Sequence, residues 1–415
     1  MLTIAAHLRA AGHTVRMLTG SRFAERVFAT GAEFVPLEGA ADFDDTDLDA
    51  AFPGRAEAKG LAKVTFDVSH LFVGAMRAQW ESLSAELHRR PADVVVYENT
   101  FMAAAPLVAL PAPRPAVVGC GVIPLTLSSP HVPPFGPGLR YAAGPAARLR
   151  NRVVGAGIRR VVMAKQQREV QAALADCVPG ARLHGYFMDG IVHADAFLQL
   201  SVTSLDYPRP DLPENVSYIG PVLPPAAAAA DLPDWWPELE QTNKPVVLVT
   251  QGTLDIMDLD RLIGPTLRAL SGEDVLVLAV TGGPPVARLE PLPSNARAAA
   301  FIPFERLMPR VSAMVTNGGF GGVHFALRHG IPLVVAGDTE DKSEIAARVG
   351  WAGAGIDLRT GRPDPAQIRD AVLSVLGPGS YRARAAAIGA DIRGSDALGR
   401  IAAEVLTRSA GNGRP

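Results

Sequence analysis

The chain has 415 residues, 48% of them hydrophobic and 20% charged, which is ordinary for folded globular protein and long enough for two domains of roughly 200 residues each. A formal charge of −2 and a pI near 6.5 exclude bulk attraction to nucleic acid or to an anionic membrane. Cys120 and Cys177 are too few for a disulfide framework and wrongly spaced for zinc, and no stretch reaches the roughly 18 apolar residues of a membrane span.

Taken in order, residues 1–20 open inside a helix. Leu2, Ala5 and Leu8 recur at helical spacing and Gly12 supplies the stop. Residues 15–18 are the first strand available, followed by short buried-type strands at 93–97, 116–119 and 196–200 with helical stretches between them. Residues 219–234, with Pro221, Pro224, Pro225 and Pro233 around an alanine run, break both periodicities as a linker does. Beyond them strands recur at 246–250, 275–280, 298–301, 313–316 and 333–336, and a final helical segment spans 381–408. Both halves alternate strand and helix, which predicts an α/β protein with two doubly wound parallel sheets facing across a cleft. A doubly wound sheet grows outward from a first strand that lies in its middle, so a chain opening on a helix leaves that central member unaccounted for.

The most informative stretch is 311–357. The strand 313–316 runs into Asn317-Gly318-Gly319-Phe320-Gly321-Gly322, a helix over about 321–329, the strand 333–336, and a loop carrying Asp341 and Lys342. A strand feeding a glycine-rich turn and a helix start exposes backbone N–H groups at the positive end of a helix dipole, where a diphosphate binds. The turn lacks the Lys-Ser/Thr of a P-loop and the spacing of G-x-G-x-x-G.

The order of these elements resembles the donor-binding region of family-one nucleotide-sugar-dependent glycosyltransferases, which include the bacterial macrolide and natural-product enzymes. That family runs His-Gly-Gly-x-Gly-Ser-x-x-Glu-Ala, then Gly-Val-Pro, then Asp-Gln-x-x-Asn-Ala. This chain has Asn317-Gly318-Gly319-Phe320-Gly321-Gly322-Val323-His324-Phe325-Ala326, then Gly330-Ile331-Pro332, then Asp341-Lys342-Ser343-Glu344-Ile345-Ala346. The resemblance implies the GT-B fold. It also implies that Asn317 and the N–H groups of Gly318, Gly319, Gly321 and Gly322 cradle the diphosphate, and that Asp341 and Lys342 face the sugar. By the same resemblance Gly252 and Thr253, ending the strand 246–250, reach the diphosphate, and Ile302 lies against the base. The departures are Asn317 for His, Gly322 for Ser, Phe325 for the Glu that grips the ribose, and Lys342 for Gln, the last suiting a donor with extra negative charge.

The implied organisation is an acceptor-binding domain (1–218), a linker (219–234), a nucleotide-sugar domain (235–380), and a terminal helix (381–415) crossing back to the first domain. The implied reaction is inverting transfer from a UDP- or dTDP-sugar to a hydroxyl of an apolar small molecule. Neither metal nor other cofactor is expected. Asp44-Asp45-Thr46-Asp47 follows no strand and reads as an exposed acidic loop. A cytoplasmic location is expected, with no nucleic-acid partner and with peripheral membrane contact left open. Family members carry a strand and a Gly-His-x-x-Pro loop, whose His is the general base, ahead of the first helix. Neither is found here, so a true start about 15 to 25 residues upstream of Met1 is expected, one strand plus a loop. Glu98, at a strand's carboxyl end, resembles in position the carboxylate that orients that His. His131 and Phe135, in a Pro-rich loop, are expected to line the acceptor pocket. A catalytically silent nucleotide- or partner-binding relative is the alternative.

Overall fold

The computed structural model describes residues 1–224, 232–252 and 257–411. In the first half, β1 (Arg16–Thr19) and β2 (Glu33–Pro36) form a parallel pair, while β3 (Val94–Glu98), β4 (Ala116–Gly121), β5 (Ala196–Gln199) and β6 (Val216–Tyr218) form a four-stranded parallel sheet in sequence order. A first sheet lacking its central strand was expected. Among the described residues no strand pairs with the other edge of β1 or of β3, so the strands fall into two sheets. Side chains link β1 to the rest of the first half instead: Arg16 meets Glu86 and the carbonyl of Arg90 at the end of the helix Gly74–Arg89, and Leu18 packs against the cluster that includes Tyr97. The opening helix is Leu2–Ala10, and Gly12 beyond it has φ of +91°, a conformation glycine adopts without a Cβ clash.

The second half holds a six-stranded parallel sheet. Its strands are β7 (Val246–Thr250), β8 (Leu276–Val280), β9 (Ala296–Ala299), β10 (Ala313–Thr316), β11 (Leu333–Val335) and β12 (Gly355–Asp357), in spatial order β12-β11-β10-β7-β8-β9. β7, β8, β10 and β11 are buried along their whole length, as strands covered on both faces must be, and their runs of Val, Leu and Ala supply side chains to both. Leu248, Leu278 and Leu333 face one core, which the helices Phe320–Arg328 and Lys342–Ala352 close with Val323, Phe325, Ile345 and Val349. Val247, Val277 and Val334 face the other, with Ile263, Leu267 and Ile368. That alternation is the two-residue period of a strand.

The expected single terminal helix is two, Ser380–Gly394 and Ala397–Gly411. The break follows from Asp396, whose carboxylate accepts the N–H of Gly399 at 3.0 Å and so caps a new helix rather than continuing the old one. Ala385, Ile388 and Ile392 of the first belong to the second-domain core. Ala397, Ile401 and Val405 of the second pack with Ile4, Leu8, Val118 and Leu198 of the first.

Buried charges tie the halves together. Arg348 donates to Asp206 at 2.8 Å and to Glu344 at 2.9 Å, and all three side chains are almost wholly buried. Burial raises the Asp206 carboxyl, but Arg348 and Arg209 outweigh it and hold the group below its ordinary value. The Arg348 guanidinium also lies 4.6 Å from the centre of the Tyr207 ring, which stacks on Tyr141 and meets Trp351 edge-on. Truncating one member of such a cluster strands the opposite charges in a dry interior. Arg348→Met is therefore expected to lower unfolding free energy by about 3 kcal/mol or more, read by urea denaturation at neutral pH, where a loss below about 1 kcal/mol would contradict the assignment.

Candidate active site

The second sheet reverses its strand order between β7 and β10. Thr250 and Thr316 are register partners at the ends of these two strands, and the chains beyond them part to opposite sides. A crevice opens at such a switch point. Its walls are built alike: the Thr250 hydroxyl accepts from Gly252 N–H and the Thr316 hydroxyl from Gly318 N–H, both at 3.2 Å. Asn317 then crosses the gap, its buried side-chain amide donating to the Gln251 carbonyl at 2.5 Å.

Gly318 has φ of +93°, and a Cβ there would stand 2.9 Å from Val335, so the turn needs a residue without a side chain. Gly319 follows as the N-cap of the nine-residue helix Phe320–Arg328, and no side chain caps that end. The first-turn N–H groups, those of Gly321 and Gly322 among them, have no carbonyl of their own helix to bind, and Gly321 is exposed. Local geometry therefore leaves a set of donors at a positive dipole end beside the crevice, where an anion with several oxygens is stabilised.

The neighbouring wall comes from the loop after β11. Glu340 sits in the left-handed region at φ of +55°, a local strain of the kind held at binding sites. Asp341 follows, and its carboxylate does not cap the helix it begins. Burial first, and the adjacent Glu340 second, push its pKa up to about 6. Lys342 departs from expectation: its ammonium is buried and donates to Glu340 at 2.6 Å and to Thr339 at 3.0 Å. Its charge is balanced within its own loop, which removes the argument for a more anionic donor.

Residues 266–405 match the family model described as the C-terminal domain of the erythromycin biosynthesis protein CIII-like group. The chain is 39% identical over 399 residues to 4'-demethylrebeccamycin synthase of Lentzea aerocolonigenes, covering 96% of this chain and 93% of that one. It is 35% identical over 419 residues to UDP-glycosyltransferase 2 of Phaeomoniella chlamydospora, covering 96% and 90%. The chain belongs to the family-one, nucleotide-sugar-dependent glycosyltransferases. Its fold is that of the calicheamicin glycosyltransferase CalG4, with a TM-score of 0.72 at 22% identity over 98% of this chain and 94% of that one. The GT-B architecture expected from the sequence is thus the observed one.

Within this glycosyltransferase the other expected site residues separate. Gly252, with φ of +75°, lies on the crevice wall, while Thr253 falls outside the described residues. The Ile302 side chain is buried in the core, and Phe301 beside it is 65% exposed. Phe325 packs edge-on to Phe304 and stacks on His329 inside the domain. Glu98 ends β3, where the Thr100 hydroxyl and its N–H both donate to the carboxylate, and burial raises its pKa. The loop of His131 and Phe135 reaches the second domain: Gly136 and Gly138 donate to the Glu344 carboxylate at 2.9 and 2.8 Å, three residues beyond Asp341. Phe135 immediately precedes the first of these two glycines. His131 is half-buried on the same loop, its N–H donating to Ser129.

Three functional contacts have no sequence expectation behind them. Glu344 and Arg348 carry a weak signal, an acid and a base four apart on one helix face. Asp206 carries none. His324 spans the domains: its Nδ1 hydrogen donates to the Phe320 carbonyl and its Nε2 accepts from the Ser201 hydroxyl, each at 2.8 Å. Burial lowers its pKa to about 4, so the folded protein holds the ring neutral while the unfolded chain protonates it near 6.5. That stability is fully present above 6.5 and is lost as pH falls toward 4. Between pH 7 and 5.5 the stability advantage of wild type over His324→Gln should shrink by about 1 kcal/mol, measured by urea denaturation, and a pH-independent difference would contradict it.

Proposed function

We propose that this glycosyltransferase moves a sugar, with inversion, from a UDP- or dTDP-sugar to a hydroxyl of an apolar small molecule. The observation that carries the reading is the uncapped start of the helix Phe320–Arg328 at the β7/β10 crevice, one strand away from the Asp341 carboxylate. The names of the relatives, one a UDP-glycosyltransferase and one a synthase of a demethylrebeccamycin, support a nucleotide-sugar donor and a natural-product acceptor.

As the acceptor oxygen bonds to the anomeric carbon, the bond to the diphosphate breaks and its electron pair leaves on a phosphate oxygen. Open N–H groups at the helix start stabilise that developing charge in place without reorganising. Asp341 receives sugar hydroxyls, Phe301 stacks on the base, and Phe135 brings an apolar wall to the acceptor side. An acceptor hydroxyl attacks poorly until its proton is taken. As it attacks, the hydroxyl passes that proton to a general base, and Glu98, fixed by Thr100 at the first domain's strand ends, is assigned to positioning the base rather than to contact with the sugar.

Binding can be divided between nucleotide and sugar by thermal unfolding with UDP, dTDP and a panel of their sugars. A ligand at 100 times its dissociation constant adds about 2.7 kcal/mol. Asp341→Asn is expected to keep the shift given by the bare nucleoside diphosphate and to lose the increment added by the sugar, while Asn317→Ala weakens both. Retention of the sugar increment in Asp341→Asn would overturn the assignment of that wall.

A further inference from the structure

The bulk charge of the chain is nearly balanced, yet it is unevenly spread. From Gly144 through Arg168 there are seven cationic residues and no acidic one. This stretch contains the helix Pro145–Gly157, which runs without interruption into a wide turn, Ile158–Val162, closed by the Met163 N–H to the Ile158 carbonyl at 2.8 Å. Residues four apart on an α-helix drift around its axis by about 40° per step. A turn with i to i+5 bonding is underwound and takes back that drift. Leu149, Val153 and Val161 are thereby kept on one stripe, and Arg148, Arg152 and Arg160, at the same spacing, on the stripe beside it.

All three aliphatic side chains face solvent, at 61%, 63% and 76% exposure. Among the described residues none of the three arginines pairs with a carboxylate. A neighbouring helix, Leu61–Asp67, adds the exposed Leu61 and is joined to this region by the Gln166 amide, which donates to the Thr65 carbonyl at 3.3 Å. The opposite side of the helix Pro145–Gly157 is buried on the acceptor loop, with the Asn151 amide donating to the Pro130 carbonyl at 3.0 Å.

We propose that this face of the first domain docks on an anionic lipid bilayer. The aliphatic row enters the headgroup boundary and the arginines pair with lipid phosphates, the pattern of an interfacial amphipathic helix. Residues 144–168 contain no aromatic side chain, and a helical face without such an anchor suits a fluid surface better than the shaped hot spot of a protein partner. Because the same helix carries the acceptor loop on its other side, docking brings that loop to the bilayer, where apolar acceptors concentrate. Docking itself rests on the exposed aliphatic and arginine stripes, and only its consequence for the acceptor rests on the function proposed above.

The test is co-sedimentation of the full chain with vesicles of phosphatidylcholine alone or with about 30% phosphatidylglycerol, an anionic surface. Wild type is expected to pellet with the anionic vesicles and not with the neutral ones. R148Q/R152Q/R160Q is expected to weaken that binding roughly a hundredfold, since each cation near such a surface contributes about 1 kcal/mol, and R148K/R152K/R160K to restore it. L149S/V153S/V161S is expected to weaken it as well, with both variants keeping the wild-type melting temperature. Wild type that stays in the supernatant, equal binding to neutral vesicles, or binding unchanged in both variants would overturn the proposal. Retention on polyglutamate without retention on vesicles would overturn it too, by assigning the face to an acidic protein.

Discussion

The site exists because the second sheet changes direction between β7 and β10. Two parallel strands lying side by side send their chains to opposite sides, and the space left at their carboxyl ends is the crevice. Each later feature is local chemistry applied to that gap. Paired threonines turn the two chains at a glycine, Asn317 holds the two turns together through the Gln251 carbonyl, and the helix that follows points its open N–H groups inward. Without the reversal these groups would serve only as a helix start.

Closure of the two domains rests on groups that are costly to bury alone. The chain places Glu344 under the loop of Gly136 and Gly138, Arg348 against Asp206 and His324 against Ser201, so every one of these polar side chains crossing the interface has a partner. Such a network is sensitive to geometry, because a shift that breaks one bond leaves a charge or a donor unsatisfied in a dry environment. It thereby fixes the distance between the Phe135 loop and Asp341.

Much of the donor half was legible in the sequence. Runs such as 246–249 and 313–315 are apolar throughout, as a strand buried on both faces requires, and the glycines after Thr316 mark a turn that side chains would obstruct. Two of the short strands were not legible: β6 and β12 have three residues each, and β12 opens on a glycine, so neither period nor propensity declares them as the all-aliphatic Leu-Val-Val declares β11. The break at Asp396 was not read from the sequence, where one helical segment was expected over 381–408. Lys342 shows the limit of reading a site residue by residue, since its charge is balanced by Glu340, a neighbour whose left-handed backbone no propensity announces. Long-range pairs such as Asp206 with Arg348 lie beyond any local pattern.

The claim that the open helix start at the β7/β10 crevice holds the leaving diphosphate is tested most directly by a crystal structure with UDP or dTDP bound. The account predicts phosphate oxygens within about 3 Å of the backbone nitrogens of Gly319 to Gly322, with the base against Phe301. A nucleotide bound away from that helix start, with those nitrogens facing solvent or protein side chains, would contradict it.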